Sequence, residues 1–283
     1  MQDFDKLWNY NDPAATEIKF REVLKESSLE KNLSQHVQLL TQIARTYSLQ
    51  KQFDEAHKAL DEAGAQLTEE KGVEHIRYFL ERGRTFNSSG DKRNAEICFR
   101  NALDISQKLN EDFYTIDTIH MLAIITSPDE SIRLNEEAIV LAEESKQERA
   151  RNWLGSLYNN LAWGYFDKAE YEKAISIFLR ALKWREDKQQ PHEIFLAKWC
   201  VARTLRALNR LDDAIKIQLA LFEELVDTDK KDGYVYEELG ELYLLKNDPV
   251  HKMYFQFAYT ELSQDTWLSK NEPQRIERLK QMS

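Results

Sequence analysis

Glycine and proline are scarce in this sequence, which has eight glycines and five prolines among its 283 residues. Together they make up roughly 5% of the chain, against about 12% in average proteins. Sheet proteins need many tight turns, and tight turns depend on these two residues. The scarcity therefore disfavours a β-rich fold and predicts long helices joined by short connections.

Cysteines and long apolar runs are few as well. The two cysteines, Cys98 and Cys200, lie within apolar helical patterns and have neither metal-ligand nor redox spacing. No stretch approaches the ~20 apolar residues that a transmembrane helix needs. The first residues lack the basic start and the apolar run of a signal peptide. We expect a reduced, cytoplasmic protein with no membrane partner.

The motifs of common catalytic and cofactor sites are also missing. The six histidines are scattered, without the spacing of paired metal ligands. The sequence has no glycine-rich phosphate loop and no Gly-x-Ser-x-Gly turn. We therefore expect no enzymatic activity, no metal ion and no cofactor. The net charge of −10 argues against a nucleic-acid partner, because phosphate contacts need a dense basic surface.

The sequence does contain a repeated pattern of small and bulky residues. Each clear copy has an alanine, a bulky residue four positions later and a second alanine after three more. These copies are Ala56/Leu60/Ala63, Ala95/Phe99/Ala102 and Ala174/Phe178/Ala181. Weaker copies are Ser131/Asn135/Ala138, Ala214/Gln218/Leu221 and Phe255/Ala258. Equivalent positions recur after 36 to 43 residues, and five of the six copies follow a segment with its own small residue. Those small residues are Ala44, Gly83, Ala162, Ala202 and Gly240. Since spacings of three and four fall on one helical face, each unit is interpreted as two helices in close contact.

This order of bulky and small residues resembles the tetratricopeptide repeat over about residues 35–262. The usual unit of that family has 34 residues, so these units are longer, which helices with one extra turn would explain. The resemblance implies an all-α fold, a right-handed α-solenoid of about six antiparallel helix pairs. We expect a single solenoid over residues 1–283, with capping helices at 12–30 and 271–282. The expected repeats span residues 33–68, 71–110, 112–146, 150–188, 190–228 and 231–263. Whether the third repeat is regular stays open, because its first helix looks short.

The same resemblance implies that the first helix of each pair lines a concave groove. The groove positions are the residue after the small residue, the residue three before it and the residue four after it. Arginine and aromatic side chains occupy several of these positions, and the two types together are typical of binding hot spots. The predicted binding residues are Arg45, Arg84, Asn87, Asn159, Trp163, Phe166, Trp199, Arg203, Arg206, Glu237 and Glu241.

We therefore expect a non-catalytic adaptor or scaffold that binds a protein or peptide in its groove. Arginine captures carboxylates in a bidentate manner, so an acidic or carboxylate-bearing ligand is favoured. Four alternatives stay open. The arginines could be solvated or paired within the chain, and the tryptophans could belong to the core. The chain could also be a sensor or regulator domain for a small peptide or anionic metabolite, or a structural homodimer, since the sequence does not determine the oligomeric state.

Overall fold

The computed structural model describes residues 4–26 and 32–283, and over these residues the protein is helical with no β-strand. The helices follow one another in pairs joined by short connections. The predicted all-α fold class is therefore confirmed. Residues 27–30 of the predicted N-terminal capping helix lie outside the described residues.

The helices are as follows. A 3-10 helix, Phe4–Leu7, and helix α1, Pro13–Glu26, come first. The pairs are then α2 (Leu33–Leu49) with α3 (Phe53–Ala65), α4 (Val73–Ser88) with α5 (Lys92–Lys108), α6 (Asp112–Ile125) with α7 (Pro128–Glu144), α9 (Leu154–Asp167) with α10 (Tyr171–Asp187), α11 (Pro191–Ala207) with α12 (Leu211–Asp227), and α13 (Gly233–Leu245) with α14 (His251–Leu262). Helix α8 (Glu148–Arg151) lies between the third and fourth pairs, and α15 (Thr266–Asn271) and α16 (Pro273–Met282) end the chain.

The chain divides into two compact units, Met1–Leu157 and Tyr158–Ser283, with the boundary inside α9. We call them unit 1 and unit 2 and describe each by itself. Unit 1 contains the first three pairs, and unit 2 contains most of α9 and everything after it.

The tight turns are made largely without glycine. Lys51, Ala169 and Asn209 have φ values of 61°, 58° and 57° at the ends of α2, α9 and α11. At the end of α9, the N–H of Ala169 donates to the carbonyl of Phe166, and the next N–H donates to the carbonyl of Tyr165. This arrangement closes a helix with one left-handed residue. Among the described residues, Gly90 is the single glycine with positive φ. Short connections are therefore compatible with the low glycine content.

Close contact within a pair depends on the small residue of the first helix. A Cβ atom built on Gly83 would lie 2.5 Å from the ring of Phe99 in unit 1. A Cβ atom on Gly240 would lie 2.9 Å from the ring of Phe255 in unit 2. Both rings are fully buried, so neither can move aside easily. The small residues therefore let a bulky side chain of the second helix pack directly on the first helix.

The third pair departs from the others. Helix α6 is buried on several faces, with Ile116, Ile119 and Leu122 all inaccessible or nearly so. Helices α5, α7 and α8 all pack against it. The short helix α8 follows this pair as an insertion before α9. The third repeat is therefore irregular.

Each end of the chain carries a helix with an apolar contact to its unit. In unit 1, Phe20 of α1 is fully buried against Leu39 and Ile43 of α2. In unit 2, Leu279 of α16 is buried in the cluster that contains Phe255. Within the described ranges, no helix combines the length and the apolar character required to cross a bilayer.

Candidate functional site

Unit 1 contains an open cavity of about 510 Å³ on the side formed by α2, α4 and α6, which are the first helices of their pairs. We call it the unit 1 cavity. Its charged lining residues are Asp5, Arg45, Arg77, Glu81, Arg84, Asp117 and Arg149. Its aromatic lining residues are Trp8, Tyr10, Phe113, Tyr114, His120 and Trp153. Two of the predicted binding residues, Arg45 and Arg84, are thus brought together here.

Helical spacing explains why α4 contributes so many polar groups. Arg77, Glu81 and Arg84 are separated by four and three residues and so share one face of the helix. Leu80, at a predicted groove position, lines the same cavity. Asn87 comes one turn after Arg84 but is not among the lining residues.

Arg84 is held between two buried carboxylates. Its guanidinium lies 2.6 Å from Glu81 Oε1 and also forms an ion pair with Asp117 of α6. Burial alone would lower the pKa of Arg84, but the charges of Asp117 and Glu81 outweigh it and raise that pKa above its usual value. The charge of Arg84 is therefore compensated inside the chain. This agrees with the alternative, stated from the sequence, that the arginines are paired within the chain.

The charge of Arg45 is compensated less well than that of Arg84. Its Nε atom lies 3.7 Å from Glu81 Oε2, too far for a hydrogen bond. Burial lowers the pKa of Arg45, and the like charge of Arg84 lowers it further, while Glu81 acts in the opposite direction. The Oε2 atom of Glu81 and the Nε atom of Arg84 are buried and have no hydrogen-bond partner among the described residues. This part of the cavity therefore contains charged groups whose bonding capacity is not used.

Two further arginines line the cavity and were not predicted. Arg77 forms an ion pair with Asp5, and Arg149 of α8 lies 3.2 Å from the other oxygen of the same carboxylate. Arg77 lies one turn before the predicted position at Leu80. Extending the groove positions by one helical turn toward the start of α4 would therefore have included it. Arg149 lies in the insertion α8, which the repeat pattern does not describe.

The cavity is slightly electropositive although the chain is acidic. Its lining has four arginines against three carboxylates, Asp5, Glu81 and Asp117. Burial lowers the pKa of His120, and the neighbouring Arg84 adds to this against the effect of Asp117, so His120 is neutral at pH 7. The cavity thus carries one positive charge in excess in a protein whose net charge is −10.

Unit 2 brings four other predicted residues into one aromatic cluster. The ring of Trp163 lies 5.0 Å from Phe166 and 6.4 Å from Trp199, between ring centroids. The guanidinium of Arg203 lies 5.4 Å from the ring of Trp199 and about equally close to the other two rings. We call Trp163, Phe166, Trp199 and Arg203 the unit 2 cluster. All four side chains are partly exposed, so an aromatic and cationic surface remains accessible.

The remaining predicted residues of unit 2 are bound within the chain. Arg206 makes two hydrogen bonds to the buried carboxylate of Glu238, at 2.5 and 3.0 Å, and Arg203 lies 3.7 Å from the same carboxylate. Asn159 lies beside the Cys200 thiol, with 3.9 Å between Oδ1 and Sγ.

Glu237 and Glu241 form ion pairs with the closing helix α16. The partner of Glu237 is Arg275, and the partner of Glu241 is Arg278. These two glutamates therefore connect α13 to the C-terminal helix.

Other reactive groups do not form a site among the described residues. Burial raises the pKa of the Cys98 thiol to about 11 and that of Cys200 to about 12, so both are protonated at neutral pH. In the described ranges, no group of histidine, cysteine, aspartate and glutamate side chains is arranged to hold a metal ion.

Two segments of the chain, residues 76–109 and 155–188, match the family model described as tetratricopeptide repeat. Among curated proteins, no sequence matches the chain at a significant level.

Solved structures with the same fold have low sequence identity. One is a signal transduction ATPase with numerous domains that has a tetratricopeptide repeat sensor, from Pyrococcus horikoshii. The identity is 16% and the TM-score 0.74, over 95% of this chain but only 44% of that protein, so this chain spans less than half of its length. The apo form of RapI has 15% identity and a TM-score of 0.74, over 93% of this chain and 76% of that one. Aspartyl phosphate phosphatase F from Bacillus subtilis has 14% identity and a TM-score of 0.64, over 100% of this chain and 82% of that one. Identities this low establish the fold alone.

Proposed function

We propose that this chain, which contains tetratricopeptide repeats, is a non-catalytic module that binds a protein or peptide, and that its unit 1 cavity receives an acidic side chain of that partner. The proposal rests on one observation. The cavity has an excess positive charge, and Arg45 has only a distant ion-pair partner in it.

A carboxylate bound near Arg45 would supply the hydrogen-bond acceptor that Glu81 does not. Hydrogen bonds between a guanidinium and a carboxylate are among the strong ones in proteins, and a partly dehydrated site strengthens them further. The aromatic walls of the cavity offer apolar contact to the rest of the ligand. Arginine beside aromatic rings is a frequent composition of binding hot spots.

The unit 2 cluster is a second candidate contact surface. Its three aromatic rings present contact area with few rotatable bonds, and Arg203 adds a positive charge above them. We expect it to bind an apolar or aromatic part of a partner. The neighbours of known structure do not determine the partner, because one fold hosts many functions.

The proposal can be tested by selecting peptides from a random library on the purified chain. We expect the selected peptides to be enriched in aspartate and glutamate, and their affinity to fall as salt screens the charges. Arg45→Gln should weaken binding about tenfold, the effect of one charge-assisted hydrogen bond. Arg93→Gln is the matched control, because Arg93 is exposed on the second helix α5 of the same unit and should leave binding unchanged.

Two results would contradict the proposal. One is a set of selected peptides with no excess of acidic residues. The other is an affinity that Arg45→Gln and Arg93→Gln change equally. Circular dichroism of each variant shows whether a loss of binding is a loss of folding.

A small ligand is the second candidate. The cavity volume of about 510 Å³ lies within the range of roughly 300–1,000 Å³ that small-molecule sites occupy. One structural neighbour is a signal transduction ATPase with a tetratricopeptide repeat sensor, which supports this second candidate. A screen of small dicarboxylates and short acidic peptides by thermal shift distinguishes the two. A small anion that raises the melting temperature of wild type but not of Arg45→Gln would favour the sensor.

A further inference from the structure

Residues 4–10 run along the edge of the unit 1 cavity and are anchored there by two aromatic side chains. Phe4 is buried, and its ring meets Phe20 of α1 edge to face at 6.3 Å. Trp8 packs on the same Phe20 at 5.2 Å, and its Nε1–H donates a hydrogen bond of 2.9 Å to Gln42 of α2. Tyr10 stacks on Trp8 at 4.8 Å. We call residues 4–10 the N-terminal strap.

Between the two anchors, the strap places a carboxylate in the cavity. One oxygen of Asp5 pairs with Arg77 of α4, and the other lies 3.2 Å from Arg149 of α8. The guanidinium of Arg149 lies 3.6 Å above the ring of Phe113, and that of Arg77 lies 5.7 Å from the ring of Tyr114. A carboxylate between two guanidinium groups, with aromatic rings behind them, is the arrangement expected of a bound acidic ligand.

We propose that Arg77, Arg149, Phe113 and Tyr114 form a carboxylate-binding subsite of the unit 1 cavity, and that Asp5 occupies it in place of a partner's acidic residue. The partner class follows from the strap itself. In the strap, the acidic residue comes directly after a buried aromatic one, so the subsite selects a peptide with Phe, Tyr or Trp immediately before Asp or Glu. This inference rests on the proposed function and names the ligand chemistry of the same cavity.

The subsite has contacts besides those to Asp5. Arg149 is positioned by Phe113, and Arg77 also donates a hydrogen bond of 3.4 Å to Gln38 and lies near Tyr114. Arg77 also lies 5.1 Å from the ring of Phe4, which stays in place when Asp5 alone is replaced. We expect these contacts to hold both guanidinium groups in Asp5→Asn. The strap contains only a four-residue 3-10 helix, and its release would break no α-helix.

Competition with the strap sets the affinity that a partner needs. A segment tethered close to its site has an effective concentration in the millimolar range. A free peptide of the same sequence should therefore bind wild type weakly. It should bind better when the strap is weakened but the arginines are intact.

The test uses the full chain and an acetylated synthetic peptide, Phe-Asp-Lys-Leu-Trp-Asn-Tyr, with the sequence of the strap. Asp5→Asn weakens the strap without changing its size. Calorimetry should show that this variant binds the peptide about tenfold more tightly than wild type does, which corresponds to one charge-assisted hydrogen bond. A peptide with Asn in place of its Asp should bind no variant measurably.

Two further variants locate the subsite. Asp5→Asn combined with Arg149→Gln should lose the gain in affinity. The combination with Arg100→Gln should keep it, because Arg100 is an exposed residue on α5 that pairs with Glu96. In hydrogen exchange, Asp5→Asn and Arg149→Gln should each speed exchange in residues 4–10 and leave α11 and α12 unchanged.

The results separate this inference from the proposed function. If Asp5→Asn binds the peptide no better than wild type, or if Arg149→Gln does not remove the gain, the subsite is wrong. If the binding of library-selected acidic peptides depends on Arg45 but not on Arg77 or Arg149, the proposed function is supported and the subsite is wrong. If faster exchange in residues 4–10 comes with no peptide binding in any variant, the strap is only a structural cap, and the inference is overturned.

Discussion

Replacing Arg84 with methionine removes the guanidinium that contacts both Glu81 and Asp117. The three side chains are 13%, 6% and 8% exposed, so both carboxylates would remain buried without this cation. Removing one partner of a buried ion pair costs about 3–5 kcal/mol, because the remaining charge is left uncompensated. Methionine has nearly the helix propensity of arginine, so the charge dominates the effect. We expect the free energy of unfolding of unit 1 to fall by about 3–5 kcal/mol.

Urea denaturation followed by circular dichroism measures the change. Since the chain has two compact units, unfolding need not be a single transition. Hydrogen exchange therefore has to assign the loss to a unit. Protection should fall in α4 and α6 and remain in α11 and α12.

Two comparisons separate the ion network from a surface effect. Arg100→Met removes an exposed pair with Glu96, with side chains 67% and 49% exposed, and should cost no more than about 0.5 kcal/mol. The triple variant Arg84→Met, Glu81→Gln and Asp117→Asn removes all three charges and should recover at least half of the loss. If Arg84→Met costs less than about 1 kcal/mol, like the exposed pair, the buried network does not stabilise unit 1 and the reasoning is refuted.

Three further predictions concern the turns, the core and the thiols. Ala169→Gly should stabilise unit 2 by about 0.5–1 kcal/mol in urea denaturation, because Ala169 has a φ of 58°, a left-handed conformation that glycine adopts without strain. Ala174 lies within helix α10, so Ala174→Gly should destabilise unit 2 by at least about 1 kcal/mol. Equal effects of the two changes would contradict the argument about the left-handed turn. Phe178→Ala should cost about 3–5 kcal/mol in the same assay, since this ring is 1% exposed, and a cost below about 1.5 kcal/mol would show that the helix pair closes around the gap. Burial raises the pKa of Cys98 to about 11 and that of Cys200 to about 12. At pH 8 about one Cys98 thiol in a thousand and one Cys200 thiol in ten thousand is therefore ionised. A disulfide reagent should react far more slowly with the native protein than with the urea-unfolded protein. Rapid reaction of the native chain at pH 8 would disprove their burial. Because the pKa of each thiol in the folded state lies above its ordinary value, these thiols should also make folding less favourable as the pH rises above 9.

The fold was predictable because its signals are local. The spacing of Ala95, Phe99 and Ala102 places them on one helical face, and Gly83 marks where the partner helix comes close. Each of these signals spans only a few residues, and each copy repeats it. Helix α8 was not predicted because it is an insertion of four residues, too short for any periodic pattern.

The positions of the candidate site residues were predictable only in part, for a different reason. The family resemblance, applied to the repeated pattern, placed Arg45 and Arg84 on one expected surface with Trp163 and Trp199. The structure brings the two arginines to one cavity and the two tryptophans to one cluster. The spacing does not show which arginine forms an ion pair with a carboxylate of the same chain. Arg84 pairs with Asp117, which is 33 residues away, and Arg206 pairs with Glu238, which is 32 residues away.

The amino-acid sequence by itself determined that this chain forms paired helices and which face of each first helix carries arginine and aromatic residues. Both properties depend on the order of residues within a few helical turns. Only the tertiary structure decided that Arg84 and Arg206 are neutralised by buried carboxylates, and that Asp5 reaches Arg77 and Arg149. Electrostatic pairing acts through space between residues far apart in the chain, so it is set by how the helices pack and not by the periodicity of any one of them.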